Sequence, residues 1–378
     1  MNAFSIEDLR QKAKRYLPKA VFDMADGGAE DEKSLFYNRE IFNRFYFVPR
    51  VLQDVSQRLL TTPFLRKTID LPLAIAPMGM AGLLYPKADL AIAKAAKSMG
   101  VPYTLSTMAT STIEEIAAIG GCYGFQLYVL KNRRITETLV ERADYAHCQF
   151  LILTVDFPLS GKRERDLKNR FTMPYRPSIA NLFDFAMHPR WSFNLWRHGV
   201  PTLVNLQKTA QENVQALYAV LNQELDPSLT WEDFKWLRKI WQKPLLVKGL
   251  LAAEDCKIAF DHGADAVILS NHGGRQLDGT TAPLAVLPEI RQALGKEPAI
   301  FIDSGFRRGA DVIKALCLGA NGVFLGKALL YGVAAGGEKG AKRALDIFKD
   351  EMERAMALLG VSSLTELNHN FLRKEEGL

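Results

Sequence analysis

The sequence lacks the residue patterns that mark several common functional classes. It has only four cysteines, Cys122, Cys148, Cys256 and Cys317, with neither a C-x-x-C pair nor any metal-ligand spacing. That argues against a disulfide framework and a zinc module; the thiols are expected to be small core residues in a reducing compartment, and no metal is expected. No run of 18 apolar residues occurs, so no transmembrane helix is expected. The opening "MNAFSIEDLRQKAKRY" is charged and amphipathic, without the apolar centre of a signal peptide. A cytoplasmic location is expected, free or peripheral on the cytoplasmic face of the inner membrane. Basic residues number 48 against 42 acidic, and no basic run carries aromatic interleaving of the kind RNA binders use. This mild excess fits an anionic substrate, a phosphate-bearing cofactor or an acidic membrane surface, and is too weak to argue for a nucleic-acid partner.

What the sequence does contain is rhythm. Eight short apolar runs begin at Leu71, Pro102, Tyr123, Phe150, Pro244, Ala266, Ala299 and Gly322. They mostly lack strict alternation, as strands buried on both faces do, and helix-patterned segments lie between them. Strand then helix, eight times, predicts an α/β fold of the (β/α)₈ TIM barrel class. A single domain over 1–378 is expected. Its parts are an N-terminal helical segment (1–65), the barrel (71–335), an insertion (157–243) between the fourth and fifth strands, and C-terminal helices (336–378). The first segment reads as one helix around residues 5 to 24 and another beginning near Ala29. Residues 176–210 of the insertion read either as a membrane-contacting segment or as a lid over the site.

The strand ends carry chemistry. Gly79 follows the first strand, Ser106 the second, Gln126 and Tyr128 lie on the third, Thr154 and Asp156 end the fourth and Lys248 the fifth. His272 and Arg275 follow the sixth, Asp303 and Gly305 the seventh, and Gly326 with Lys327 the eighth. In such barrels the active site assembles at the C-terminal ends of the strands. Within "VILSNHGGRQLDG" a strand runs into a glycine-loosened loop bearing an imidazole and a guanidinium three residues apart.

The stretch "SNHGGRQLDG" resembles the signature of the FMN-dependent α-hydroxy acid oxidising family. "LPKAVFDMADGGAEDE", "FQLYV", "LTVD", "LLVKGLL" and "IDSGFRRGADVIKALCLGA" are similar to it as well, in family order, from about residue 5 to 370. The resemblance implies bound FMN and oxidation of an L-2-hydroxy acid to the 2-oxo acid. It implies His272 as the base, Asp156 as its charge partner, Arg275 and Arg163 as carboxylate binders, and Tyr128 as a hydroxyl donor. For the cofactor it implies Lys248, Gln126, Thr154, Ser106 and Ser270 around the flavin ring, with the backbone of Pro77, Met78 and Gly79 close to it. Asp303 falls to the ribityl chain, and Gly305, Arg307, Gly326 and Lys327 to the phosphate. A homotetramer is also implied.

Three positions depart from the family, one of them Lys327, where arginine is usual and lysine keeps the charge but loses the fork. Met24 stands where a tyrosine commonly helps to hold the substrate carboxylate, and a thioether cannot donate a hydrogen bond. Met108 stands where some relatives carry a bulky aromatic. Met24 and Met108 therefore bear on the substrate side chain. An L-lactate dehydrogenase-type enzyme passing electrons to membrane quinone is expected first. The alternatives are a mandelate-type dehydrogenase for a larger apolar acid and an oxygen-using oxidase. Gly79 leans towards quinone, since several oxygen-using relatives have alanine there, although monooxygenase relatives share the glycine. Phe183, Phe185, Trp191, Phe193 and Trp196, interleaved with Arg190 and Arg197, suit an anionic bilayer interface.

Overall fold

The computed structural model describes residues 1–170, 179–206 and 225–375. Twelve strands among these are numbered in chain order, and eight of them close the expected barrel. The barrel strands are β4 (Leu73–Ile75), β5 (Tyr103–Ser106), β6 (Tyr123–Leu127), β7 (Leu151–Thr154), β8 (Leu245–Leu250), β9 (Ala266–Leu269), β10 (Ile300–Ile302) and β11 (Gly322–Leu325). All neighbouring pairs are parallel, and β11 returns to pair with β4. Apart from Gly249 in β8, every barrel-strand residue is buried. That explains why the runs lack alternation: barrel interior and surrounding helices cover both faces. Register sets polar side chains side by side at one end. Ser106 lies opposite Gln126, and Thr154 opposite Lys248.

The other end is closed by a hairpin, β2 (Thr62–Phe64) with β3 (Lys67–Ile69). Its Phe64 ring lies 5.4 Å from Phe150, 5.2 Å from Phe301 and 6.2 Å from Phe324, all inside the barrel. Burying one such ring stabilises by about 1.5–3 kcal/mol, so the plugged end serves stability and leaves the strand C-termini for chemistry.

The N-terminal segment contains α1 (Ile6–Tyr16), α2 (Lys19–Asp26) and α3 (Lys33–Glu40). The single helix expected over residues 5 to 24 is therefore two. Pro18 is the reason: its ring disfavours a helical Leu17, which is extended at φ −92°, ψ 139°. The first barrel helices are α4 (Ala88–Ser98), α5 (Ile113–Ile119) and α6 (Arg133–Tyr145). The insertion holds α7 (Glu164–Lys168), α8 (Ile179–Met187), α9 (Pro189–His198) and α10 (Trp231–Ile240), with Pro189 opening α9. Residues 176–178 and 207–210 of the anticipated membrane or lid segment lie outside the described residues. The remaining helices are α11 (Ala253–Asp261), α12 (Pro283–Leu294), α13 (Gly309–Cys317) and α14 (Lys327–Leu359).

The chain end differs from the helices expected over 336–378. Helix α14 starts already at Lys327 and kinks at Gly336 and Gly337. Beyond it come two short 3₁₀ turns, then β12 (Leu372–Lys374), antiparallel to β1 (Phe45–Phe47). A strand forms because its partner arrives from the other end of the chain.

Candidate active site

At the strand C-termini a cavity of about 640 Å³ opens. His272 enters it from the loop after β9, where His272, Gly273 and Gly274 have φ of 58°, 67° and 72°. Three successive left-handed residues explain the paired glycines of the motif. A Cβ on Gly274 would lie 2.5 Å from Leu35 N, so the loop also needs glycine to admit α3.

His272 Nδ1 is 3.0 Å from Asp156 Oδ1. An ionised Asp156 can only accept, which gives Nδ1 the proton and leaves Nε2 free as an acceptor. Burial pushes the imidazole below its ordinary value, and the Asp156 charge opposes this. For Asp156, burial acts upward, but His272 and Lys248 hold the carboxyl below its usual range. Gly249, at φ 109°, makes the room: a Cβ there would lie 2.6 Å from Asp156 Cβ.

Arg275 and Arg163 line the same cavity. Arg275 Nη1 donates to the carbonyls of Met24 and Gly27, at 2.9 Å each. Burial and the neighbouring Arg163 push Arg275 down to about 9, and burial lowers Arg163. Arg163 Nε is buried without a partner. Two desolvated guanidiniums in one cavity would be relieved by an arriving carboxylate. The Tyr128 phenol is pushed up by burial; its ring lies 5.0 Å from Phe157, which in turn lies 5.5 Å from His272. Met24, Met78, Met108, Pro77 and Gly79 complete the wall with Met80, Leu84 and Leu203.

Lys248 Nζ donates to Ser270 Oγ at 2.9 Å and pairs with Asp303 at 3.3 Å. Burial acts to lower its pKa, yet Asp303 and Asp156 keep it raised. Ser270 and Gln126 are buried behind the lining: Ser270 Oγ also accepts from His272 N, and Gln126 Oε1 accepts from Ser106 Oγ. Gln126 Nε2 and Thr154 Oγ1 are buried with no hydrogen-bond partner among the described residues. Such orphans are costly unless a bound group completes them, and a donor with a hydroxyl suits the polar edge of a flavin ring.

The far end of the cavity is basic. Gly305, Arg307, Gly326 and Lys327 line it after β10 and β11, where barrels commonly hold a phosphate. Lys327 Nζ donates to the carbonyls of Asp26 at 2.7 Å and Gly27 at 3.0 Å. Burial, with the charges of Arg275 and Arg307, pushes this lysine well below its ordinary value. Arg307 contacts Tyr331, with its hydroxyl 3.4 Å from Nη2. Arg308 turns away to Glu351 at 2.7 Å. The residues present fit FMN: orphaned polar groups for the ring, and cations for a phosphate dianion.

Sequence reasoning missed several lining residues: Asn38 and Arg39 on α3, Asp166 on α7, Phe157 and Ser304. Those on α3 follow no strand, so the strand-end rule could not reach them. Asp166 sits in the charged run Lys162–Asp166, where nothing in the sequence separates it from its neighbour Glu164; only the fold turns it to the cavity.

A closed barrel whose strand-end cavity joins a histidine–aspartate pair, two buried arginines and a basic pole defines an oxidoreductase for an anionic substrate with a phosphate-bearing cofactor. Residues 13–374 match the FMN-dependent dehydrogenase family. The (S)-mandelate dehydrogenase of Pseudomonas putida is 44% identical over 375 residues, covering 99% of this chain and 95% of that protein. An L-lactate oxidase from a Nostoc species is 40% identical over 377 residues, covering 98% of each. The solved structure of the monotopic membrane protein (S)-mandelate dehydrogenase superposes with a TM-score of 0.96 at 43% identity, covering 99% of this chain and 100% of that one. The chain belongs to the FMN-dependent dehydrogenase family and is an FMN-dependent 2-hydroxy acid oxidoreductase.

Proposed function

We propose that the enzyme oxidises an (S)-2-hydroxy acid with a bulky apolar side chain, of which L-mandelate is a representative. The carrying observation is the wall formed by Met24, Met80, Leu84, Met108 and Leu203 in the cavity that holds His272 and Arg275. Thioethers adapt to a large apolar group and favour aromatic contact. This puts mandelate-type acids ahead of lactate, reversing the order drawn from the sequence. FMN, when bound, takes up the two electrons of the oxidation. His272 Nε2 takes one of the two protons released, and Asp156 stabilises the imidazolium that results. Arg275 and Arg163 hold the carboxylate; Tyr128 donates to the reacting oxygen; Lys248 places positive charge where the reduced ring gains negative charge. Asp303 would hold the ribityl chain, with Gly305, Arg307, Gly326 and Lys327 at the phosphate.

Anaerobic bleaching of the flavin absorbance tests this reading. L-mandelate is expected to exceed L-lactate in kcat/KM by about 10-fold or more, as burial of a phenyl ring warrants. Equal efficiency with the two acids would overturn the preference for a bulky side chain.

We further infer that the enzyme seats on an anionic membrane and passes electrons to quinone there. Trp191 is buried and donates to Leu83 O at 2.8 Å, while Phe183, Met187, Phe193, Trp196 and Val200 are exposed beside Arg190 and Arg197. Apolar side chains rimmed by cations suit the headgroup boundary. Among the described residues, no helix is long and apolar enough to cross a membrane. Replacing Phe193 and Trp196 by serine is expected to weaken binding to phosphatidylglycerol vesicles, read by sedimentation, about 100-fold or more, since burying each ring contributes roughly 1.5–3 kcal/mol. Unchanged sedimentation would remove this membrane face.

A further inference from the structure

Arg39 lies outside the barrel sequence, yet its side chain lines the basic pole of the cavity. Its Nη1 donates to the carbonyl of Gly305 and lies 3.2 Å from Asp311 Oδ2. Nε and Nη2 have no hydrogen-bond partner among the described residues. Arg307 and Lys327 line the same pole, and the charges of Asp26 and Glu32 act on Lys327. Among the described residues neither Arg307 nor Lys327 forms an ion pair, and Asp311 is the carboxylate on Arg39. Burial lowers the Arg39 pKa; Asp311 opposes this, and the charges of Arg307 and Arg308 add to it. Backbone and amide contacts hold the residue there. Asn38 and Asn271 exchange reciprocal 2.8 Å hydrogen bonds, tying α3 to the loop after β9. Gly305 sits so close that a Cβ would come within 2.0 Å of Asn38 O.

We propose that Arg39 is a ligand of the cofactor phosphate, so that the segment preceding the barrel supplies part of the cofactor site. One guanidinium nitrogen fixes the Gly305 loop, and the rest of the fork is left for phosphate oxygens, a geometry that guanidinium suits better than ammonium. Lys327 spends hydrogen bonds on the end of α2 and, as an ammonium, offers a phosphate no planar fork, whereas Arg39 on α3 does. The proposal rests on the phosphate lying at the loops after β10 and β11.

The test is reconstitution of the apoprotein with FMN and separately with riboflavin, followed by quenching of flavin fluorescence. Arg39→Gln keeps an N–H for Gly305 O and removes the charge. It is expected to weaken FMN binding about 10- to 100-fold, as loss of a hydrogen bond to a charged group does, with riboflavin affinity unchanged and a shallower salt dependence for FMN. Arg39→Lys should lose less. Two results overturn the proposal: wild-type FMN affinity in Arg39→Gln, or equal losses for FMN and riboflavin, which would mark a folding role. If the wild type itself binds riboflavin as tightly as FMN, the phosphate placement fails and the proposal falls with it.

Discussion

Replacing His272 by asparagine is expected to slow flavin reduction by the hydroxy acid about 10³- to 10⁴-fold, the range a positioned general base supplies. FMN affinity should stay near wild type, because the imidazole faces Asp156. The pH profile carries a sharper expectation. The base must be neutral, so kcat/KM should rise with pH as the imidazole loses its proton and then stay flat until Arg275, pushed down to about 9, begins to lose its charge. Burial lowers the His272 pKa against the opposing charge of Asp156, which puts the limb below the ordinary imidazole value of about 6.5. In Asp156→Asn the opposing charge is gone. The limb should then move to still lower pH, and the maximal rate should fall because the imidazolium formed in the reaction loses its partner. A limb in Asp156→Asn that stays where the wild type has it would show that this carboxylate does not act on the base.

Arg275→Met is expected to lower kcat/KM about 10²- to 10³-fold, chiefly through KM, since truncating one side of a buried charge pair commonly costs about 2–5 kcal/mol. The change removes the carboxylate-binding fork and strips the Met24 and Gly27 carbonyls of their donor. Competition between the hydroxy acid and its uncharged amide separates the two effects. Wild-type enzyme should prefer the acid strongly, and Arg275→Met should lose that preference. An unchanged acid-to-amide ratio would mean that Arg275 serves α2 alone. Arg275→Lys should fall between, because a point charge cannot hold both carboxylate oxygens in one plane.

Much of this site was legible before any fold was known. Lys248 lies on β8 and His272, Arg275, Asp303 and Lys327 follow buried strands, and in a closed parallel barrel strand ends converge on one rim. The aromatic segment of the insertion was legible only as a composition. Whether Phe185 and Trp191 or Phe193 and Trp196 turn inward depends on the phase of two short helices against the loop at Leu83, a contact between residues 108 apart for Trp191. The hydrogen bond from Lys19 N to Asp184, which caps α2 from α8, spans 165 residues and likewise left no local sign. Arg39 was hidden for the same reason.

The sequence by itself determined the barrel and named the candidate reacting groups. Backbone sterics and burial impose their periods over a few residues, and each reactive side chain sits next to its strand in the chain. Only the tertiary structure decided which cations face the cavity, that Lys327 caps α2, and that an N-terminal helix reaches the basic pole. Those arrangements are made by groups some 250–300 residues apart, such as Lys327 with Asp26 and Arg39 with Gly305. Their energies exist only after closure has removed the water between them.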